Sequence, residues 1–306
     1  MFAEFTLPFL PKLAQTLDVP GYELRAVLAV LFVTTVCGLV GALVVGNRMA
    51  FFSDAMSHCA FAGISLGLIL AVSANVSPES DEFDALSPLV MAAFGALVGL
   101  AISFVREYSG LASDTVIGVF FAGAIGFGAM VITAVDRRQF DPEKFLFGGP
   151  IMVRDLDLVY LFLLTVLTAA VLVFKYNRFV LVSLNPSLAR SRGISVALSN
   201  SLFIVLLALI VNFSIRAVGV LLINAMLIVP AATASNLATN MRGLFRYTLG
   251  LSVGCGLVGL YLSLTIRVGD TARQFGASGA IICLGVLLFA VSLVVPAVRT
   301  RLARLG

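Results

Sequence analysis

Charged residues are scarce in this sequence. Only 12% of the 306 residues are Asp, Glu, Lys or Arg, while 60% are hydrophobic and the mean hydropathy is +1.08. Soluble domains carry about 25% charged residues, so a core buried in water does not account for this composition. A bilayer accounts for it, because apolar side chains can then also face outward. The sequence therefore excludes a soluble enzyme and predicts an integral membrane protein.

Lysine, histidine and cysteine are also rare. None of the three lysines (Lys12, Lys144 and Lys175) follows a glycine, so the chain has no G-x-x-x-x-G-K-[ST] phosphate-binding loop. The four cysteines lie in apolar stretches without paired spacing, which is typical of small buried side chains. One histidine and one intramembrane acid offer no nucleophile–base set for a membrane enzyme. The basic residues do not cluster on one face, so no nucleic-acid partner is predicted.

Long apolar stretches recur along the whole chain. At about 20 residues per span, the sequence predicts nine transmembrane helices, at about 24–46, 50–74, 86–105, 112–135, 156–174, 194–213, 217–239, 244–266 and 275–297. The predicted fold class is an all-α polytopic membrane helix bundle, a single transmembrane domain over residues 1–306. Within it, residues 1–23 are predicted to form an interfacial N-terminal segment and residues 298–306 a short basic tail. Three glycine pairs at four-residue spacing predict close helix contacts: Gly63 with Gly67, Gly95 with Gly99, and Gly250 with Gly254.

The distribution of charge along the chain predicts its orientation. Eleven of the 20 basic residues fall on one side of the predicted spans with two acids, and nine fall on the other side with thirteen acids. Basic residues are enriched in cytoplasmic connections. The prediction is a multi-pass protein of the cell (inner) membrane, surrounded by lipid, with its N-terminus outside and its C-terminus in the cytosol.

Polar chemistry concentrates in the span predicted at 50–74. Asp54 and His58 are four residues apart and therefore share one helix face. An aspartate deep in a membrane costs ~2.5–3.5 kcal/mol on insertion scales, and a carboxylate with an imidazole suits zinc, manganese or iron(II). Ser53 and Ser57 are candidates to hold these ligands, or waters, by hydrogen bonds. The alternative is that the pair only bonds to itself or to the backbone.

Two ligands are too few for a metal site, so further ligands would come from water, another helix or a second copy of the chain. Other intramembrane polar residues carry weaker signals. Asn212 and Asn224 flank a predicted hairpin with Arg216 at its turn, where hydrogen bonds between helices and snorkelling are the favoured interpretation. Pro230 predicts a bend or a break in its helix.

Several sequence blocks, in order, resemble one family: the permease subunits of ATP-binding-cassette importers for zinc, manganese or iron, called the ABC-3 family. The most specific block is Arg48-Met49-Ala50 followed by Ser53-Asp54-Ala55-Met56-Ser57-His58 and Gly63. The other similar blocks are Ser113 to Gly118, Phe147-Gly148, Asn185 to Arg190 with Gly193, Val218 to Leu222, Pro230 to Ala234, and Gly259 to Ser263.

The resemblance implies an ABC-importer permease fold that works by alternating access. It implies three protein partners: a cytosolic ATP-binding subunit, an extracytoplasmic metal-binding receptor, and a second permease copy, identical or paralogous. Asp54 and His58 match positions that hold metal in the pathway, and the segment that couples to the ATPase is matched by Asn185, Pro186, Ala189, Arg190 and Gly193. No permanently bound cofactor is implied, since the divalent metal ion is the substrate.

Two alternatives stay open at this point. In an ion-coupled secondary transporter the Asp54–His58 pair would relay protons, and inverted repeats would favour that class. In an ABC permease for a metal chelate, no protein ligand for the metal would be needed. The sequence does not choose between zinc, manganese and iron, or between a homodimer and a heterodimer.

Overall fold

The computed structural model describes residues 20–73, 80–134, 153–268, 273–274 and 276–294, together with Pro11, Gln15 and Thr16. In chain order the helices are α1 (Gly21–Gly46), α2 (Ala50–Ser73), α3 (Asp81–Tyr108), α4 (Ser113–Ala134), α5 (Asp155–Leu184), α6 (Pro186–Ser191), α7 (Val196–Val218), α8 (Val220–Leu237), α9 (Met241–Thr265) and α10 (Ala277–Ser292). Two short strands, β1 (Arg267–Val268) and β2 (Arg273–Gln274), pair antiparallel between α9 and α10. The Phe147-Gly148 block, the predicted tail 298–306 and most of the predicted interfacial segment 1–23 lie outside the described residues.

The predicted helix bundle is confirmed. Eight of the described helices, α1 to α5 and α7 to α9, are long and apolar enough to cross a membrane by length and composition. The ninth predicted span, 275–297, corresponds to α10, which has 16 residues. At 1.5 Å per residue α10 is about 24 Å long, shorter than a ~30 Å hydrocarbon core. The described part of the chain thus holds eight full-length candidate spans and one shorter apolar helix.

Two helix boundaries differ from the prediction for identifiable reasons. The span predicted at 156–174 is part of α5, which has 30 residues and includes Lys175 and Arg178. The helix continues beyond the apolar stretch because lysine and arginine are good helix formers. Arg216, which the sequence predicted at a turn between two spans, instead lies in the last turn of α7. Gly219 alone separates α7 from α8, with a φ of 82° that glycine adopts at little cost.

Two of the three predicted glycine pairs lie at close helix contacts. A Cβ added to Gly95 of α3 would lie 2.9 Å from Cγ of Asn212 on α7, and one on Gly99 would lie 3.2 Å from Cγ2 of Ile204. A Cβ added to Gly63 of α2 would lie 3.0 Å from Cα of Met91 on α3. These contacts follow the small-residue packing expected of helices in lipid.

The third glycine pair does not form the predicted contact. In the described part of the chain, no atom of a neighbouring helix lies within 4 Å of a Cβ added to Gly250 or Gly254. On the same helix, α9, close approaches are made by Gly256, where a Cβ would lie 3.1 Å from Cγ1 of Val30 on α1, and by Gly259, where it would lie 2.6 Å from Cα of Ile281 on α10. Four-residue spacing alone therefore did not identify the face of α9 that packs.

Ion pairs join several helices at one end of the bundle. Nε of Arg25, near the start of α1, lies 2.6 Å from Oδ1 of Asp155 at the start of α5. Arg216, at the end of α7, approaches Asp157 at 3.6 Å and donates a hydrogen bond to Ser87 of α3 at 2.6 Å. Arg216 thus makes the interhelical contacts that the sequence favoured for this group of polar residues.

Large apolar side chains remain exposed on the outer face of α5. Val173 and Phe174 are 78% and 81% exposed, and Phe162 is 51% exposed. A contiguous apolar face of this kind suits contact with lipid or with another membrane subunit.

Candidate functional site

A strained turn leads into the helix that carries the predicted site. The Met49 N–H donates to the Val44 carbonyl at 3.0 Å and the Arg48 N–H donates to the Val45 carbonyl at 3.1 Å, which closes α1 in a Schellman motif. The left-handed position of this motif usually holds glycine, but here it holds Arg48, with φ 54°. A non-glycine residue in this conformation costs about 1–2 kcal/mol. The turn reverses the chain and starts α2 at Ala50.

Asp54 is held by a neutral side chain from another helix. The amide Nδ2 of Asn224, on α8, donates a hydrogen bond to Oδ1 of Asp54 at 3.0 Å. Both side chains are half-buried. Within the described residues no lysine or arginine forms an ion pair with Asp54.

Ser57 completes a small network with Asn224. Its hydroxyl donates to the Ser53 carbonyl at 2.9 Å and lies 3.3 Å from Oδ1 of Asn224. Because a carboxylate can only accept hydrogen bonds, the nitrogen of the Asn224 amide must face Asp54 and its oxygen must face Ser57. The orientation of the amide is therefore set by Asp54, and the Ser57 hydroxyl supports it when its single proton points to Oδ1 of Asn224 instead of the Ser53 carbonyl. The Ser53 hydroxyl donates to the Ala50 carbonyl at 3.1 Å, within its own helix.

His58 lies one turn further along α2 and is also half-buried. Its ring packs edge-to-face on Phe121 of α4, with centroids 4.8 Å apart and an interplanar angle of 85°. An aromatic contact of this kind restrains the orientation of the imidazole without consuming its two nitrogens as hydrogen-bond partners. Asp54 and His58 thus share one face of α2, with Asn224 and Phe121 beside them from two other helices.

One chain supplies two candidate metal ligands at this place. Among the described residues no group of three or more His, Cys, Asp or Glu side chains is arranged to hold a metal ion. The carboxylate and the imidazole can contact a passing cation, while water or another subunit would have to complete its coordination.

Asn224 is the contributor to this site that sequence reasoning missed. The sequence marked it only as an intramembrane polar residue, grouped with Asn212. The structure separates the two: the Asn212 amide donates to the Ala208 carbonyl of its own helix at 2.7 Å, whereas Asn224 bonds to α2. The sequence contained one signal for Asn224, because an amide in a membrane helix is costly. Its partner on α2 could not be known from the spacing of residues in α8.

The second group of predicted residues forms the short helix α6. Asn185 is its N-cap and accepts a hydrogen bond from the Leu188 N–H at 3.0 Å, and Pro186 occupies the first helical position, where its missing N–H is harmless. Ala189 is buried and Arg190 is exposed. Gly193 ends the helix with φ 72°, the left-handed conformation that suits glycine. The five residues therefore build one capped turn of helix between α5 and α7.

Cavities with arginines in their walls flank α6. One, of about 610 Å³, lies between the end of α3 and the start of α7, and its lining includes Arg106, Glu107 and Arg190. A second, of about 320 Å³, is lined in part by Arg48, Arg106 and Pro186. Arg48, Arg106 and Arg190 are thus brought to the same end of the bundle as α6.

Comparison with known proteins identifies similar chains. The sequence profile of the ABC 3 transport family matches residues 22–298. The manganese import system permease protein ScaB of Streptococcus gordonii is 28% identical over 268 residues, which cover 88% of this chain and 89% of that protein. A protein of Haemophilus influenzae described as a probable iron transport system membrane protein is 27% identical over 279 residues, covering 90% of this chain and 94% of that one.

A solved structure has the same fold. PsaBC from Streptococcus pneumoniae, solved in complex with a Fab, superposes with a TM-score of 0.73 over 92% of this chain and 94% of the matched chain, at 23% sequence identity. At that identity the similarity concerns the fold alone.

Proposed function

Since the chain belongs to the ABC 3 transport family, we propose that it is the membrane permease subunit of an ATP-driven importer for manganese or iron(II). The proposal rests on the family match over residues 22–298 and on the relatives named for manganese and iron transport. In this function the chain provides the route across the membrane, and the metal ion is its substrate.

The observation that carries the proposal is the environment of the Asp54 carboxylate. Its carboxylate is half-buried between membrane helices and is held by the neutral amide of Asn224 at 3.0 Å. The carboxylate of Asp54 can contact a passing cation, and His58 lies one turn away on the same face. We infer that Asp54 and His58 bind the cation transiently, with Ser57 and the backbone of Ser53 supporting the site.

The ligand chemistry fits the metals named in the relatives. Carboxylate oxygen suits manganese, and imidazole nitrogen suits iron(II) and zinc. Zinc remains compatible with this donor set, whereas the relatives favour manganese or iron. Binding during transport must be selective but weak enough for release, and two ligands per chain suit that requirement better than a closed cage.

A second permease copy would complete the site. Asp54 and His58 are not fully buried in the single chain, so another subunit can reach them. Two identical chains would bring two carboxylates and two imidazoles together across a twofold axis, the usual symmetry of paired subunits. A paralogous chain with its own ligands would serve the same purpose.

The ATP-binding partner would dock on α6. The chain has no P-loop, and α6 presents the exposed Arg190 beside a cavity of about 610 Å³. Arginines gathered at this end support the assignment of α6 to the cytosol and of the N-terminus to the outside. A metal-binding receptor on the outer side is inferred from the family resemblance.

The proposal is tested by uptake of radioactive manganese and iron(II) in a bacterial strain without its own importers. The strain would express this chain with its ATPase and receptor partners. We expect uptake with the active ATPase and background uptake with an ATPase whose P-loop lysine is replaced. Equal uptake with both ATPases would contradict ATP-driven import and favour ion-coupled transport. Zinc uptake without manganese or iron uptake would contradict the assigned substrates.

A further inference from the structure

We propose that Asn224 is a specificity-determining residue, which favours manganese or iron(II) over calcium by occupying one oxygen of Asp54. This inference rests on the proposed function, because it assigns Asp54 to the path of the cation. Asn224 acts through Asp54 and is therefore a positioning residue rather than a metal ligand.

The geometry fixes the carboxylate from both sides. Asp54 lies on α2, and its carboxylate accepts a hydrogen bond from the Asn224 amide on α8 at 3.0 Å. The carboxylate therefore cannot rotate without breaking a contact between two helices. The acceptor-only carboxylate keeps the amide from turning over, and the Ser57 hydroxyl, 3.3 Å from the amide oxygen, can donate to that oxygen in this orientation. The arrangement directs the amide nitrogen to Oδ1 and leaves Oδ2 as the oxygen without a partner among the described residues.

Occupation of one oxygen changes which cations the carboxylate can bind well. Calcium takes six to eight oxygen ligands and commonly uses both oxygens of a carboxylate. Manganese and iron(II) accept a mixed set of carboxylate oxygen and imidazole nitrogen. A carboxylate whose Oδ1 already accepts a hydrogen bond is less available for binding through both oxygens, so next to an imidazole one turn away it disfavours calcium more than it disfavours the transition metals.

Asn224→Leu removes the amide and keeps a side chain of similar size. Asn236→Leu is the matched control: Asn236 is also on α8 and also bonds to another helix, through a hydrogen bond from Nδ2 to Oγ of Ser292 at 2.9 Å. Both changes remove one interhelical hydrogen bond, so their effects on membrane insertion should be similar. Asn224→Ala serves as a second variant if leucine does not insert.

The measurement is initial uptake of radioactive manganese by the full transporter at increasing calcium, normalised to the inserted protein. In Asn224→Leu we expect the KM for manganese to rise about tenfold to a hundredfold, as for other residues that support metal ligands, with little change in maximal rate. We also expect the inhibition constant for calcium, obtained by competition at several manganese concentrations, to fall about tenfold, which corresponds to ~1.4 kcal/mol of tighter calcium binding. Asn236→Leu should match the wild type in both quantities.

Ser57→Ala provides an independent check of the network. Introduced into the wild type, Ser57→Ala should raise the KM for manganese modestly. Introduced into Asn224→Leu, it should leave that KM unchanged, because Ser57 acts through the Asn224 amide. The proposal is overturned if Asn224→Leu keeps the wild-type KM and calcium sensitivity, or if Asn236→Leu changes them equally. Failure of the proposed function is distinguishable, since then the wild type itself would show no ATP-dependent uptake of manganese or iron.

Discussion

The contact between α3 and α7 gives a quantitative prediction for Gly95→Ala. The added Cβ would lie 2.9 Å from Cγ of Asn212, closer than real Cβ contacts, and Asn212 is fully buried. Overpacking costs about 1–3 kcal/mol, and displacing the amide from the Ala208 carbonyl costs about 0.5–1.5 kcal/mol more. The higher helix propensity of alanine returns about 1 kcal/mol. We expect a net destabilisation of about 1–3 kcal/mol.

Thermal unfolding of the purified protein in detergent measures this effect. Gly254→Ala is the matched control, because a Cβ at Gly254 meets no atom within 4 Å, and it should melt at or above the wild-type temperature. Asn212→Ala combined with Gly95→Ala should melt higher than Gly95→Ala alone, since the obstructing amide is gone. A wild-type melting temperature for Gly95→Ala, or a larger loss for Gly254→Ala, would refute the packing argument.

Two further predictions concern local backbone structure. Arg48→Gly should raise the free energy of unfolding by about 1–2 kcal/mol, because glycine adopts φ 54° without strain, and Arg48→Ala should not; denaturant titration in detergent distinguishes them. Asn185→Ala should weaken binding of the ATPase subunit by about 1 kcal/mol, roughly fivefold, through loss of the α6 cap. Asn185→Asp should bind as the wild type does, and equal binding by both variants in a titration of purified subunits would contradict a role for the cap.

Membrane spans were the most predictable feature of the fold. The apolar length and the low charge that a bilayer demands are properties of each segment by itself, so eight spans could be located from the chain alone. The limits of the helices were less predictable. Lys175 and Arg178 end the apolar stretch of α5 but not its helix, since backbone hydrogen bonding does not require apolar side chains.

Contacts between helices were not predictable in the same way. The Asp54–His58 face follows from helix geometry within α2, and the structure describes both on that helix. The bond from Asn224 depends on the rotation of α8 relative to α2, which no pattern within either segment fixes. The glycines of α9 show the same limit: Gly254 and Gly259 are both small residues, but of these two it is Gly259 that faces a neighbouring helix.

The most direct test of the account is manganese transport by proteoliposomes that contain the assembled transporter with Asp54→Ala or His58→Ala. The control is Ser65→Ala, also on α2, where the lost hydroxyl donates to the Phe61 carbonyl of its own helix. The account predicts at least a ~100-fold loss of ATP-dependent manganese uptake in each site variant, as expected for loss of charge-assisted contacts, and near-normal uptake in the control. Near-normal uptake by both site variants would contradict the claim that the cation passes these two side chains.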